Sequence, residues 1–294
     1  MSHASPPPMI LAVGDLIDEI AVRLVAPWRR GSDATARITR RRGGSAANVA
    51  VAAVAAGGRA RFLGAIGDDS TGSALLAALQ AAGVEAHLQR SGRSPSIIVV
   101  VEPDGERTML PDRGVAMNLV HPGPTIFDGV SWLHAPAYSL FGEPLARTTR
   151  QLFADARQRG IPASLDASSI GALAAWGPEE SRRQFAELGA TCLFANAEET
   201  EYLDLRNRPL QGVTCILKRG SDEAEVRGED GELLATAAPD TLPLGVDTTG
   251  AGDAFAGGFL VARASDAPWE DALYAGHVAA RKHLLQQQHH EEAE

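Results

Sequence analysis

A stretch of fifteen residues at positions 245–259, GVDTTGAGDAFAGGF, contains five glycines and two aspartates. A glycine-rich turn that runs into a helix leaves several backbone amides unpaired and directed at one point, where the helix dipole adds partial positive charge. Gly250, Ala251 and Gly252 have little or no side chain, so a phosphate can approach their backbone closely. The pattern therefore predicts an anion-binding turn with unpaired amides at residues 250–252.

Asp253 falls in the first turn of the helix predicted after this glycine-rich segment. A carboxylate repels a bound phosphate, but it is well placed to take a proton from an alcohol that attacks one. Alternatively, Asp253 only stabilises the helix dipole, and Gly257 and Gly258 serve helix packing. The turn by itself leaves both interpretations open.

Other phosphate-binding and hydrolytic motifs are absent from the sequence. No G-x-x-x-x-G-K-[ST] segment is present, no G-x-G-x-x-G segment follows a predicted strand, and neither H-E-x-x-H nor G-x-S-x-G occurs. The absence of the first motif excludes a P-loop kinase, and the absence of the second leaves a dinucleotide-binding site without support. The absence of the last two excludes the simplest zinc-dependent and serine hydrolases. The formal net charge of −10 repels a nucleic-acid backbone, so we expect a small-molecule ligand and no nucleic-acid partner.

The N-terminus and the cysteines indicate a cytoplasmic protein. The segment MSHASPPPMILAVGDLIDE has no basic region, and Asp15 interrupts its apolar run after a few residues. We therefore expect neither a signal peptide nor a membrane span. Cys192 and Cys215 are too few for a disulfide framework and lack the spacing of a zinc site, which favours two buried thiols in a reducing compartment.

The elements that must position the glycine-rich turn alternate along most of the chain. Short apolar runs that end in polar residues, such as MILAVGD (9–15) and RARFLGAIGDD (59–69), read as buried strands. Helical patterns separate them at 46–58, 70–84, 143–159 and 179–189. This alternation predicts an α/β fold with a doubly wound, mostly parallel sheet and helices on both faces.

Two stretches, 20–41 and 95–113, break this alternation with β-branched or alternating patterns, and the second has a turn signal at Asp104–Gly105. We predict a small antiparallel β lid inserted into an α/β body that comprises residues 1–19, 42–94 and 114–294. Ordinary edge hairpins are the alternative. The exposed edges of such a lid favour pairing with a second copy, and therefore a homodimer.

Two long motifs resemble a known family. The segment DTTGAGDAFAGGF (247–259) is similar to the C-terminal signature of the PfkB-type carbohydrate kinases, the ribokinase family, and GGSAANVAVAAVAAGGRARFLGAIGDDSTG (43–72) resembles the N-terminal signature. They occur in the family's order, and the likeness continues through LDASS, NAEE and LKRG. The resemblance implies a ribokinase-like fold and an ATP-dependent kinase that phosphorylates a hydroxymethyl group of a sugar or nucleoside.

The resemblance also assigns the roles at the glycine-rich turn. Asp253 matches the catalytic base that deprotonates the substrate hydroxyl. The amides of Gly250, Ala251 and Gly252 match the anion hole that holds the transferring γ-phosphoryl group of ATP. Most of the rate in phosphoryl transfer comes from positioning and charge stabilisation, which agrees with the interpretation from the residues alone.

Further matches lie on the nucleotide side. Asn196 and Glu199 match an N-x-x-E element that organises the water shell of Mg²⁺ near ATP, with a helix cap as the alternative. Lys218 and Gly220 match a turn against the nucleotide, and His277 lies where some members place a side chain beside the adenine. A lone helical histidine is more often structural.

On the substrate side, Gly43, Gly44 and Asn48 match the sugar-binding face, with a helix start after a tight turn as the alternative. The chain departs from the family at the substrate acid, which is Glu19 rather than aspartate. In an extended segment Asp15 and Glu19 share a face and Asp18 points away, so we predict that the former pair binds the substrate.

A second departure concerns a monovalent cation such as K⁺, which the resemblance places beside Asp247. The family commonly adds a Gly-Ala-rich loop to this site, but here the chain reads RKHLLQQQHHEEAE and stops. We therefore expect Asp247 to bind the cation weakly or to brace the loop. An aspartate that bonds its own backbone in a turn is the alternative.

Two other functions remain open from the sequence. A sugar-phosphate kinase needs a cationic group in the substrate pocket, which Arg113 and the cluster Arg40–Arg42 can supply, although solvated surface arginines in an arginine-rich chain explain them better. The other open function is a catalytically silent sugar or nucleotide sensor, which is suggested by the departure of the C-terminal segment from the family pattern. Asp253, which a silent relative is expected to lose, argues against it.

Overall fold

The computed structural model describes residues 6–240 and 248–293, and this part of the chain contains thirteen strands and eight α-helices. The strands are β1 Met9–Val13, β2 Ile17–Leu24, β3 Ala36–Gly43, β4 Arg59–Ile66, β5 Glu85–Arg90, β6 Ser96–Val101, β7 Arg107–Asp112, β8 Trp132–Pro136, β9 Ala163–Asp166, β10 Cys192–Ala195, β11 Thr214–Leu217, β12 Ala224–Arg227 and β13 Leu233–Ala237. The helices are α1 Ser45–Ala55, α2 Ser70–Ala81, α3 Leu145–Gln158, α4 Ile170–Leu173, α5 Pro178–Leu188, α6 Ala197–Tyr202, α7 Ala251–Arg263 and α8 Trp269–Ala293.

The larger sheet has nine strands within the described residues, in the order β13-β12-β11-β10-β9-β8-β1-β4-β5. All neighbours from β11 to β5 are parallel, and β12 and β13 extend the β11 edge in antiparallel pairing. Strand β1, MILAV, is buried along its whole length, as expected for a parallel strand covered on both faces. The predicted mostly parallel sheet is confirmed.

Helices cover both faces of this sheet. On one face α1, α2, α7 and α8 pack through side chains such as Val49, Leu79 and Phe259. On the other, α3 and α5 contribute Phe153 and Phe185 to a second apolar core. The doubly wound arrangement is therefore confirmed. Among the helices of the described residues, none combines the length and the apolar character needed to cross a bilayer.

A second sheet, which we call the lid, has the order β3-β2-β6-β7 in the part of the chain described. β2–β3 and β6–β7 are antiparallel hairpins, and the hairpins join through a parallel pairing of β2 with β6. The predicted turn lies between β6 and β7, where Gly105 has a φ of +91°. The first hairpin extends from Ile17 at the start of β2 to Gly43 at the end of β3, beyond the predicted range 20–41, because Ile17 still pairs with Gly43. The division into body and lid stays a prediction.

The C-terminal ends of the parallel strands bring polar residues to one edge of the larger sheet. Asp15 follows β1, Asp166 ends β9, Asn196 follows β10 and Lys218 follows β11. The turn before α7 reaches the same edge, because a Cβ built on Gly252 would lie 3.2 Å from Lys218 Nζ. Ligands of open parallel sheets bind at this edge, so the fold places the glycine-rich turn where a ligand is expected.

Candidate active site

The glycine-rich turn leads into α7 through Gly250, which has a left-handed backbone with a φ of +78° and ψ of −4°. The amides of Gly250 and Gly252 have no acceptor among the described residues. The amide of Ala251 donates to the carbonyl of Thr248 at 3.1 Å. This bond corrects the prediction that all three amides are unpaired: the turn closes on its own carbonyl, so Ala251 is already engaged.

Asp253 lies in the first turn of α7, as predicted, and links the two sequence motifs. One carboxylate oxygen accepts a hydrogen bond from Ser45 Oγ at 2.6 Å, and the other accepts one from Asn48 Nδ2 at 2.8 Å. Burial raises the pKa of the Asp253 carboxyl, and these two hydrogen bonds oppose that rise. A partly desolvated carboxylate that keeps further lone pairs for another donor is suited to accept a proton.

Ser45 is a site residue that the sequence analysis missed. It follows Gly44 at the first position of α1, where a serine is ordinary for a helix start. Its partner lies 208 positions away in the chain. No local pattern signals such a contact.

Lys218 provides positive charge beside the turn. Its ammonium donates to Asp166 Oδ2 at 2.6 Å and lies next to Gly252, as described above. Burial alone lowers the pKa of Lys218, but the carboxylates of Asp166, Glu199 and Asp253 outweigh this effect and raise it. The side chain is therefore charged where an anion would be held. Asp166, the second residue of the LDASS segment, was not assigned from the sequence.

Asn196 and Glu199 form a reciprocal helix cap at the start of α6. The Asn196 amide nitrogen donates to Glu199 Oε2 at 2.8 Å, Asn196 Nδ2 donates to Oε1 at 2.9 Å, and the Glu199 amide donates to Asn196 Oδ1 at 2.9 Å. Glu199 is only 2% exposed, and burial, followed by the nearby Asp166, raises its pKa to about 7. The alternative interpretation of this pair as a cap is thus realised, and each carboxylate oxygen keeps a lone pair for a further donor.

A cavity of about 620 Å³ lies between the lid and the turn at Gly250. Glu19, Asn48, Thr249 and Gly250 line it, and Arg107 on β7 bridges lid and body by donating to Thr249 Oγ1 at 2.5 Å. The Glu19 carboxylate is paired with Arg41 at 2.6 Å. The lid therefore closes over the space that adjoins Asp253 through Asn48.

The structure separates the acids predicted to bind substrate together. Glu19 lines the cavity, whereas Asp15 is not among the lining residues. Arg113 Nε and Nη2 donate to the two carboxylate oxygens of Asp15 at 2.9 and 2.8 Å. The Arg113 guanidinium is thus engaged by the Asp15 carboxylate. Asp18 points to the opposite side of β2 from Glu19, as predicted, and pairs with Arg40.

Positions 43 and 44 have no room for a side chain, because a Cβ at either position would meet neighbouring atoms of the chain. Gly44 has a φ of +102°, and a Cβ there would lie 2.1 Å from the carbonyl oxygen of Asp15. A Cβ on Gly43 would lie 3.0 Å from Glu19 Oε2. These glycines allow β3 to return beside the start of β2, which sets the position of Asn48 on α1.

Two of the remaining predicted residues, His277 and Gly220, are not among those that line this cavity. His277 is buried in α8, hydrogen-bonded through Nε2 to the carbonyl of Ala237 at 3.0 Å and edge-on to Phe255, and burial lowers its pKa. Gly220 lies in an exposed turn after β11 with a φ of +64°. Asp247 lies outside the described residues.

The polar C-terminal segment contributes contacts that the sequence did not reveal. α8 continues to Ala293, and His283 Nε2 and Gln287 Nε2 lie 3.0 and 3.1 Å from the carbonyl of Thr249. A Cβ on Gly250 would lie 2.8 Å from His283 Nε2. This end of α8 therefore packs directly on the glycine-rich turn.

Comparison with known proteins decides the family. A family model described as pfkB family carbohydrate kinase matches residues 8–289, which is most of the chain. The chain belongs to the pfkB family of carbohydrate kinases. The predicted family and enzyme class, a phosphotransferase with an alcohol group as acceptor, are confirmed.

Similar proteins are known within the pfkB family. A fructokinase from Salmonella typhimurium is 30% identical over 76% of this chain and 77% of its own. An ATP-dependent ribose-1-phosphate kinase from Halopiger xanaduensis is 29% identical over 90% of this chain and 88% of its own. The crystal structure of adenosine kinase from Sinorhizobium meliloti covers 94% of this chain and 93% of its own, with a TM-score of 0.80 and 21% identity. That structural likeness confirms the ribokinase-like fold, and family membership supports ATP as the phosphoryl donor.

Proposed function

We propose that this pfkB-family kinase transfers the γ-phosphoryl group of ATP to a hydroxymethyl group of a sugar or nucleoside, with Asp253 as the base. The observation that carries this proposal is the position of the Asp253 carboxylate. It lies at the head of α7 beside the amides of Gly250 and Gly252, held by Ser45 and Asn48. The names of the relatives, which include a fructokinase and a ribose-1-phosphate kinase, support a sugar-like acceptor.

In the proposed reaction Asp253 takes the proton of the substrate hydroxyl as its oxygen attacks the γ-phosphorus. The bond between the γ-phosphorus and the bridging oxygen breaks, and ADP leaves with that electron pair. The Gly250 and Gly252 amides and the Lys218 ammonium stabilise the charge on the transferring group. The raised pKa of Asp253 strengthens it as a base.

The residues at the sheet edge fit a role for Mg²⁺ through bound water. When bound with ATP, Mg²⁺ supplies charge neutralisation on the phosphates. Asn196 and Glu199 would hold its hydration shell, because Mg²⁺ keeps several waters and needs few protein ligands. The buried Glu199 carboxyl, whose pKa is about 7, would be stabilised in its charged form by a nearby cation. A K⁺ ion beside Asp247 belongs to the same proposal.

The proposed substrate side comprises Glu19, Gly43, Gly44 and Asn48. Asp15, through its ion pair with Arg113, would orient the start of β2. On the nucleotide side, Lys218, Gly220 and His277 would border the ATP site. Of these, Lys218 has direct support from its contact with the turn. The intact base favours a kinase over a silent sensor.

The test is Asp253→Asn, assayed by ATP consumption with Mg²⁺ against a panel of sugars and nucleosides. We expect kcat to fall at least about 1000-fold, because general base catalysis contributes factors of this order, while the affinity for ATP changes little. The matched control is Asp271→Asn, which removes the exposed first-turn carboxylate of α8. If the two variants behave alike, Asp253 only stabilises its helix dipole. If the wild type consumes no ATP with any acceptor of the panel, the silent sensor is favoured.

A further inference from the structure

The C-terminal part of α8 lies against the glycine-rich turn, although the proposed reaction makes no use of it. His283 and Gln287 are four residues apart on this helix, so their side chains lie on the same face. Both line the cavity between the lid and the turn, together with Thr249 and Gly250. Two polar side chains of one helix are therefore placed beside the residue that begins the proposed anion hole.

Both side chains contact one acceptor, the main-chain carbonyl of Thr249. Gln287 Nε2 donates to this oxygen at 3.1 Å, and His283 Nε2 lies 3.0 Å from it. The two side-chain nitrogens are 2.8 Å apart. When His283 carries its proton on Nε2, it also donates to the carbonyl; when the proton is on Nδ1, Nε2 accepts the second N–H of Gln287 and orients that amide group. In both tautomers α8 holds the Thr249 carbonyl.

The Gln287 amide group takes this orientation at a cost. Its Oε1 atom is buried and has no donor within the described part of the chain. Turning the amide group over would place Oε1 against the carbonyl oxygen of Thr249, which brings two acceptors together. Because a buried acceptor without a donor costs free energy, the contact with the turn is not explained by the needs of Gln287 itself.

The Thr249 carbonyl and the Gly250 amide belong to one peptide group, which is trans. In a trans peptide the C=O and the N–H lie in one plane and point in opposite directions. Fixing the carbonyl toward α8 therefore fixes the direction of the Gly250 N–H away from α8. Hydrogen bonds to the carbonyl also polarise the peptide group and strengthen its N–H as a donor. This N–H has no acceptor among the described residues and is one of the two proposed to hold the transferring group.

Two further contacts surround the same peptide group. Gly250 lies against His283, because a Cβ at position 250 would be 2.8 Å from His283 Nε2. On the lid, Arg107 donates to Thr249 Oγ1 at 2.5 Å. Thr249 is thus held by α8 through its main chain and by β7 through its side chain.

We propose that His283 and Gln287 are positioning residues for phosphoryl transfer, which hold the Thr249 carbonyl and so direct the Gly250 amide at the transferring phosphoryl group. This inference rests on the proposed function, since it concerns the same anion hole. A donor of this kind stabilises the transition state only when it points at the charge that develops there. Its misdirection should therefore lower kcat and leave the binding of the substrates unchanged.

The experiment compares two variants that remove the contacts with the Thr249 carbonyl and two that keep them. Gln287→Met removes the donor at a similar side-chain length, and His283→Leu removes the ring nitrogens. His283→Gln, the conservative variant, keeps a nitrogen that can donate to the carbonyl. Gln286→Met is the matched control, because Gln286 is exposed and does not line the cavity between the lid and the turn. Thermal unfolding verifies that each variant is folded at the assay temperature.

kcat and the KM values are measured with the acceptor that gives the fastest turnover in the panel of sugars and nucleosides. We expect Gln287→Met and His283→Leu to lower kcat about tenfold, less than the loss of about 100- to 1000-fold on removing an oxyanion donor, while both KM values change less than about twofold. His283→Gln and Gln286→Met should keep kcat within about twofold of the wild type. An unchanged kcat in Gln287→Met, or a raised KM at unchanged kcat, would overturn the inference and leave the proposed function intact.

The resonance of the Gly250 amide gives a readout that needs no turnover. In protein labelled with ¹⁵N, the chemical shift of this amide depends on the hydrogen bonds of its own peptide group, so Gln287→Met should move it and Gln286→Met should not. If the wild type phosphorylates no acceptor but this shift occurs, the proposed reaction fails and control of the amide by α8 is supported. If the two variants leave the resonance equally unchanged, α8 only packs on the turn and the inference fails.

Discussion

At the scale of single residues, Asp253 is the point where two distant segments of the chain meet. Its oxygens accept hydrogen bonds from Ser45 and Asn48, which lie 208 and 205 positions earlier in the chain. Hydrogen bonds to a carboxylate favour its charged form, and burial favours its neutral form. The balance, which leaves the pKa above its ordinary value, determines the pH at which the proposed base becomes active.

Replacing Ser45 by alanine removes one of the two hydrogen bonds that lower the pKa of Asp253. Because the base must be deprotonated, the activity is lost as the pH falls through this pKa. We expect the acid limb of the kcat/KM profile to move to higher pH by about one unit in Ser45→Ala. The control is Ser73→Ala, since Ser73 lies on α2 and contacts Arg90. An unmoved acid limb would contradict the role of Asp253 as base.

At the scale of elements, the interior of the larger sheet contains an ionisable group that makes stability depend on pH. His134 on β8 is fully buried, with Nδ1 2.9 Å from Ser164 Oγ on β9. Burial lowers its pKa from 6.5 to about 4. The unfolded chain therefore binds a proton between these values that the folded protein does not, and stability decreases as the pH falls through this window.

The contribution of His134 to this loss is about 2 kcal/mol between pH 7 and pH 5. We expect His134→Gln to reduce the difference in unfolding free energy between these two pH values by that amount, as measured by urea denaturation. The exposed His87 on β5 gives a matched control, His87→Gln. The assignment is wrong if both variants keep the wild-type pH dependence.

At the scale of the whole molecule, the two faces of the lid differ in chemistry. The face toward the body carries Arg23, Arg37, Arg41 and Arg107. Ile38, Ile98 and Leu110 lie on the other face, which Arg40 shares, and are 66%, 39% and 53% exposed. Exposed apolar patches of this kind often mark interaction sites. We therefore propose that the lid packs against the lid of a second copy.

This proposal predicts that the wild type sediments as a dimer at micromolar concentration and that Ile38→Asp shifts it to a monomer, measured by analytical ultracentrifugation. A buried carboxylate in the interface costs several kcal/mol. Leu233 on β13 is equally apolar and 54% exposed, so Leu233→Asp serves as the control. A monomeric wild type, or an equal effect of both substitutions, would overturn the proposed interface.

The elements and the glycine-rich turn followed from the sequence because their signals are local. Apolar periodicity, glycine positions and first-turn acids act over one or two turns of chain, and they predicted the parallel sheet, α7 and the place of Asp253 within it. The two lid hairpins also follow from such patterns. Their parallel junction through β2 and β6 does not, because the pairing joins segments about eighty residues apart.

The site itself was decided by the tertiary structure. The chain alone did not reveal that Ser45 holds Asp253, that Lys218 pairs with Asp166, or that Arg113 occupies Asp15. The engaged amide of Ala251 and the placement of Arg23, Arg37, Arg41 and Arg107 on one face of the lid likewise depend on how the chain folds. Contacts between side chains far apart in sequence leave no periodic pattern, since they depend on the packing of whole elements. The sequence determined which groups are present, and the fold determined which of them can act together.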